Sequence, residues 1–201
     1  MESMRRWIHD HGTFALASLV CASIAAWGLA DPDHLAAVAD GITGTAFDAI
    51  GWFFMGSVTL FLLVCLWLGF SRYGRLRLGP PGEGPEFSTL SWLSMLFAAG
   101  MGVGLVFWGV AEPLTHFATP PVGPGGTPQA ARDAMVLTNF HWGLHAWGIY
   151  AMAGLVLAYF SFRKGTPYLP GSPIRYAFRG AWTGPVADLA DFVGVIAVAI
   201  G

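Results

Sequence analysis

Long apolar runs, separated by short polar or Gly/Pro-rich stretches, dominate this chain. A helix needs about 20 largely apolar residues to cross the hydrocarbon core of a bilayer. Five segments meet or approach that length: Thr13 to Ala30, Ile50 to Phe70, Leu90 to Ala111, Ala134 to Phe162, and Pro185 to Gly201. The fourth is long enough to tilt or to extend into the interface. The fifth stops inside an apolar run, so the chain is expected to be the N-terminal part of a longer protein. The stretch from Asp31 to Asp48, with the acids Asp31, Asp33, Asp40 and Asp48 and no base, reads as a loop. GPPGEGPE (79–86) is a turn-rich linker, and TPPVGPGGTP (119–128) holds too much Pro and Gly for a helix. Residues 165–185, which include GTPYLPGSP, read as an excursion with a short helix around Ile174 to Phe178.

Composition narrows the class. Charged residues make up 11% of the 201 and apolar residues 55%, against about 25% charged in an average soluble domain. Such a chain cannot cover a soluble globule with a charged skin. Disorder is excluded too, because disordered segments are charge-rich and apolar-poor. A net charge of −2 with ten basic residues argues against nucleic-acid binding. Cys21 and Cys65 both lie in apolar runs and read as buried free thiols.

The placement of the bases gives direction. Arg5 and Arg6 precede the first span; Arg72, Arg75 and Arg77 follow the second; Arg163, Lys164, Arg175 and Arg179 follow the fourth. Arg132 alone lies on the opposite side, a division of nine to one (2 + 3 + 4 against 1). The positive-inside rule then puts the N-terminus and both basic loops in the cytoplasm. A cleaved signal peptide is the competing reading of the first segment. Its 18-residue apolar run, however, exceeds the 7 to 15 residues of a signal core.

Two spans carry candidate chemistry. The third contains AAGMGVGLVFWG, with Gly100, Gly102, Gly104 and Gly109. Glycine weakens a helix by about 1 kcal/mol relative to alanine. Close helix packing through small residues is one reading of this stretch. An unwound segment whose freed carbonyls coordinate an ion or substrate at mid-membrane is the other. The fourth span contains FHWGLHAWGIY. At about 100° per residue, Trp142, Trp147 and Tyr150 fall within one broad arc of a continuous helix, bordered by Phe140. Aromatic faces of this kind bind quaternary ammonium groups by cation–π attraction; an interfacial aromatic belt is the plainer alternative. His141 and His145 have the i, i+4 spacing of a metal pair but lack a nearby third ligand. Glu112, before Pro113, reads as a capping or pairing acid at the outer end of the third span. Asp191 reads as an anion near a helix N-terminus. The zinc-protease signature is absent; an enzyme is not expected, and a haem- or metal-binding membrane enzyme ranks third among the readings.

These residues resemble the betaine/carnitine/choline transporter family. The resemblance rests on GMGVGLVFWGVAEPLTHF (100–117), FHWGLHAWGIYAMAGLVLAYFSFRKG (140–165) and, more weakly, DFVGVIAVAIG (191–201). It implies an all-α integral membrane fold: the five N-terminal helices of a twelve-helix, inverted-repeat transporter. Residues 1–12 would then be a cytoplasmic head, 13–78 two peripheral helices, 79–86 a cytoplasmic linker, and 87–201 the start of the first repeat. The location implied is the plasma (inner) membrane, and the full-length form would assemble as a homotrimer.

The resemblance also assigns a site. Trp142, Trp147 and Tyr150 would supply part of an aromatic box, with Gly100, Met101, Gly102 and Gly104 lining the substrate. Backbone carbonyls of Ala98 and Met101 would hold a coupling sodium ion; no other cofactor is implied. Gly104 stands where proton-coupled choline carriers of the family tend to have Asp, which favours a betaine-type substrate. Val198 stands where some members have a threonine of a second sodium site, and it offers no side-chain oxygen. The leading expectation is therefore ion-coupled carriage of a quaternary-ammonium compatible solute, glycine betaine first, through the lipid bilayer. A sodium-independent carnitine- or choline-type exchanger, or a membrane module that binds or scaffolds a partner without transport, is the alternative.

Overall fold

The computed structural model describes the backbone of residues 2–79 and 82–200, and the side chains of residues 12–79, 82–98, 102 and 104–200. Every regular element among the described residues is helical: α1 (Glu2–Ala30), α2 (Pro32–Phe70), a 3₁₀ turn (Arg72–Arg75), α3 (Thr89–Met101), α4 (Val103–Ala118), α5 (Pro128–His141), α6 (Leu144–Ala158), a π-helical turn (Tyr159–Arg163), α7 (Ser172–Ala177) and α8 (Thr183–Ile200). The fold is all-α, as expected of a membrane transporter. Four stretches are long and apolar enough to cross a bilayer: Gly12–Ala30, Pro32–Phe70, Pro128–Arg163 and Thr183–Ile200. The expected third span is divided into α3 and α4 at Gly102, and the side chains of residues 99–101 and 103 within it lie outside the described residues.

The stretch from Asp31 to Asp48 is not a loop. Helix α2 begins at Pro32, and its direction changes inside the helix at Ile50 (φ −130°, ψ 16°). The local reason is a strong start signal. Asp31 Oδ1 accepts from the His34 N–H at 3.0 Å, and Pro32 occupies the first helical position. The glycines that follow, Gly41 and Gly44, are isolated and do not end a helix.

Two compact units make up the chain: residues 1–56 with 153–201, and residues 57–152. In the first, α1 and α7 both pack on α8. Its fully buried apolar side chains are small, Ala17 and Ala187, the kind that lets helices approach closely in lipid. Asp191, only 8% exposed, ties α7 to α8. Its Oδ1 accepts the Gly171 N–H at 2.6 Å, and its Oδ2 accepts from Arg175 Nη1 at 2.9 Å. Arg175 also pairs with Asp188. Burial works against the charge of Arg175, but the two carboxylates outweigh it and hold the guanidinium pKa above its ordinary value. Asp191 therefore does not serve the N-terminus of its own helix: α8 starts at Thr183, two turns earlier, and the carboxylate instead receives the residue that starts α7. The short helix expected around Ile174 to Phe178 is this α7. Lys164 Nζ lies 5.5 Å and 5.6 Å from the ring centroids of Tyr159 and Tyr176, joining the π-helical turn to α7.

In the second unit α4 packs along α5. The C-terminal part of α2 meets α6 at Gly148, where an added Cβ would lie 3.2 Å from Leu62 Cβ and 3.3 Å from Leu62 Cα. Cys65 Sγ, one turn along α2, sits 3.9 Å from the Gly148 carbonyl. Large apolar side chains are mostly exposed across the described residues, Phe70 at 91% and Leu29 at 89% among them. Lipid tails solvate such surfaces as well as other side chains do, so helices in a bilayer need not hide them.

Gly148→Leu would push a branched side chain against the backbone of α2, and overpacking of this kind costs about 1–3 kcal/mol. We expect its melting temperature in detergent, followed by fluorescence on the purified full-length protein, to fall by several degrees, and Gly148→Ala to fall less. An unchanged midpoint for the leucine variant would show that the two helices do not abut there.

Candidate functional site

The site is built on two interruptions in apolar helices. The first separates α3 from α4 at Gly102, whose φ of −60° and ψ of −138° fall outside the helical region. An added Cβ there would stand 2.9 Å from the Ala98 carbonyl oxygen, so a side chain would press on the backbone of the turn before it. The glycine-rich stretch thus holds a helix break, one of the two readings its spacing allowed. Ala98, Gly100 and Met101 occupy the last turn of α3, and Gly104 the first turn of α4. The side chains at positions 100 and 101 lie outside the described residues.

The second interruption falls at Trp142 and Gly143, between α5 and α6. Trp142 caps α5 with φ −88° and ψ 8°, and its N–H donates to the Thr138 carbonyl at 3.0 Å. At Gly143 an added Cβ would meet the Asn139 carbonyl oxygen at 2.8 Å. The helix expected to run unbroken from Ala134 to Phe162 is therefore split among the very aromatics it was to display. A 100° wheel cannot be carried across that split.

What gathers the aromatics instead is a buried carboxylate. Glu112, on α4, is 7% exposed. Its Oε2 accepts from the Trp142 indole N–H at 2.7 Å, and its Oε1 lies 2.9 Å from His141 Nδ1 and 3.4 Å from His116 Nε2. The next link is Trp147, whose indole N–H donates to the Trp142 carbonyl at 3.1 Å. Tyr150 then stacks against Trp147 at 5.8 Å between centroids, tilted by 42°. The structure thus joins Trp142, Trp147 and Tyr150 in a chain of contacts that starts at Glu112. Trp142 and Trp147 are half-buried, while Tyr150 is exposed.

The histidine pair does not act as a pair. His141 turns to Glu112, and His145 Nε2 lies 3.5 Å from Thr59 Oγ1 on α2. No cluster of three or more His, Cys, Asp or Glu suited to a metal occurs among the described residues. Sequence reasoning found each aromatic but missed that Glu112 connects them. The only available signal was an acid inside a strongly apolar segment, which is a functional pointer by itself.

Residues 12–201 match the family described as BCCT, betaine/carnitine/choline family transporter. The chain is 44% identical over 194 residues to the glycine betaine transporter OpuD of Bacillus subtilis, covering 96% of this chain and 38% of that protein. It is 37% identical to the betaine/ectoine transporter LcoP of Corynebacterium glutamicum, covering 96% of this chain and 31% of the other. With the osmo-dependent choline transporter BetT2 of Acinetobacter baylyi it shares 42% identity, over 77% of this chain and 22% of that protein. The chain therefore spans well under half the length of these relatives. A family match over nearly the whole chain, together with several helices of membrane-spanning length, leads to one conclusion: this chain belongs to the betaine/carnitine/choline family of transporters and is a multi-pass membrane protein.

Proposed function

We propose that the protein carries a quaternary-ammonium compatible solute, glycine betaine first, by ion-coupled secondary transport, and that it is a carrier and not an enzyme. The observation that carries this reading is the linked set Trp142, Trp147 and Tyr150 beside a break in the helix. Two indoles and a phenol offer π faces to a cation that cannot be satisfied by hydrogen bonds, since a trimethylammonium group has no N–H to donate. Such contacts reach about 2 kcal/mol or more when desolvated. A backbone stripped of side chains at Gly102 and Gly104 lets the carboxylate end of a betaine come close to the main chain, as in broken-helix carriers generally. The glycine betaine and betaine/ectoine relatives support this choice of substrate.

For the coupling ion, the carbonyls of the last helical turn before Gly102, which include Ala98 and Met101, lack onward helical partners and carry the negative end of the helix dipole. That chemistry suits sodium. The second reading, exchange without sodium, is favoured by Val198, which has no oxygen to donate.

Uptake of labelled glycine betaine by cells expressing the full-length gene product tests the substrate. Trp142→Leu combined with Trp147→Leu should reduce uptake at least tenfold at low substrate, and unchanged uptake would remove the aromatic site. Replacing external sodium with lithium in the same assay should reduce uptake to a similar extent. Undiminished uptake there would favour exchange. The orientation, with the N-terminus and basic loops in the cytoplasm, has its own test. A reporter active only outside the cytoplasm should work when fused after Gly123 and stay silent after Gly165; the reverse pattern would invert the topology.

A further inference from the structure

Glu112 has no place in the reading just given, yet it is the most enclosed ionisable side chain near the aromatics. We infer that Glu112 is a positioning residue for the substrate site: it holds the Trp142 indole by its N–H edge, and through Trp142 it sets Trp147. This rests on the proposal that these aromatics receive the substrate.

Three observations carry it. The carboxylate is buried, and both of its oxygens are engaged, Oε2 by Trp142 and Oε1 by His141 and His116. It is therefore not free to meet a substrate cation and acts through its neighbours. Trp142 is the C-cap of α5, the last residue on the regular ladder before the helix is interrupted, so a side-chain bond has more to decide there. Trp142 also presents its carbonyl to the Trp147 indole N–H, so a shift of Trp142 moves the acceptor on which Trp147 depends. An indole held at its edge keeps its faces free of that bond. A charged acceptor on the indole N–H also pushes electron density into the ring, which strengthens its attraction for a cation.

A glutamine can keep most of this geometry. Its carbonyl would accept from Trp142, while its amide would donate to His141 Nδ1 once the imidazole adopts the other tautomer. Alanine keeps none of it. The experiment measures KM and kcat for glycine betaine uptake with the full-length protein carrying Glu112→Ala, Glu112→Gln, Trp142→Phe, and the Glu112→Ala/Trp142→Phe pair. Glu112→Ala should raise KM by about tenfold or more with kcat changed by less than about threefold, as expected for the loss of a charge-assisted hydrogen bond. Glu112→Gln should stay within about threefold of the parent. Trp142→Phe, which keeps a ring but removes the N–H, should raise KM in the same way, and adding Glu112→Ala to it should change little further.

A parental KM for Glu112→Ala overturns the inference. So does an alanine effect that persists undiminished in the Trp142→Phe background, because Glu112 would then act through a histidine. If Glu112→Ala does not reach the membrane, Trp142→Phe decides: a parental KM overturns the inference. The Trp142→Leu/Trp147→Leu uptake experiment fails separately, so loss of the aromatic site and loss of the positioning role are distinguishable.

Discussion

A peptide group in hydrocarbon has no water to bond, so a helix may be interrupted there only where protein groups take over its hydrogen bonds. This constraint organises the chain. Its apolar helices break at Gly102 and at Trp142–Gly143, and a side chain at Gly102 or Gly143 would press on the backbone of the turn before it. At the second break the Gly143 N–H turns to the Phe140 carbonyl at 3.2 Å, and the Trp142 indole bonds Glu112. Interrupted helices are costly in lipid, and they are found where a carrier needs backbone groups and side chains to face a ligand.

Among the described residues, each compact unit contains one buried carboxylate that joins separate helices. Glu112 links α4 to the junction of α5 and α6, and Asp191 links α8 to the start of α7. Both acids have their oxygens occupied by donors from another element, as a buried charge demands. Their chemistry differs. Asp191 is met by a backbone N–H and an arginine, which makes a rigid tie. Glu112 is met by an indole and two imidazoles.

Much of the architecture could be read from local pattern, and the failures share a cause. The apolar run lengths located α1, the C-terminal part of α2 and α8, and the Pro/Gly-rich stretches located the turns before α5 and around α7. The stretch after Asp31 was misjudged because its acids suggested solvent, whereas the Asp31–Pro32 cap and the lack of clustered breakers allowed a helix. The aromatic residues stand out in the sequence, but their arrangement does not. A helical wheel assumes an intact helix, and a single Trp–Gly step removed that assumption. Asp191 likewise read as a helix-end anion, since its partners Gly171 and Arg175 lie twenty and sixteen residues away, at the start of and within another helix.

The sequence by itself determined that the chain enters a membrane as helices, because hydropathy and glycine content act over one or two turns and need no distant partner. It also placed two tryptophans and a tyrosine close together in the fourth apolar segment. Only the tertiary structure decided that Glu112 meets Trp142. A hydrogen bond between residues thirty positions apart depends on how α4 lies along α5, and nothing in either segment alone encodes that packing.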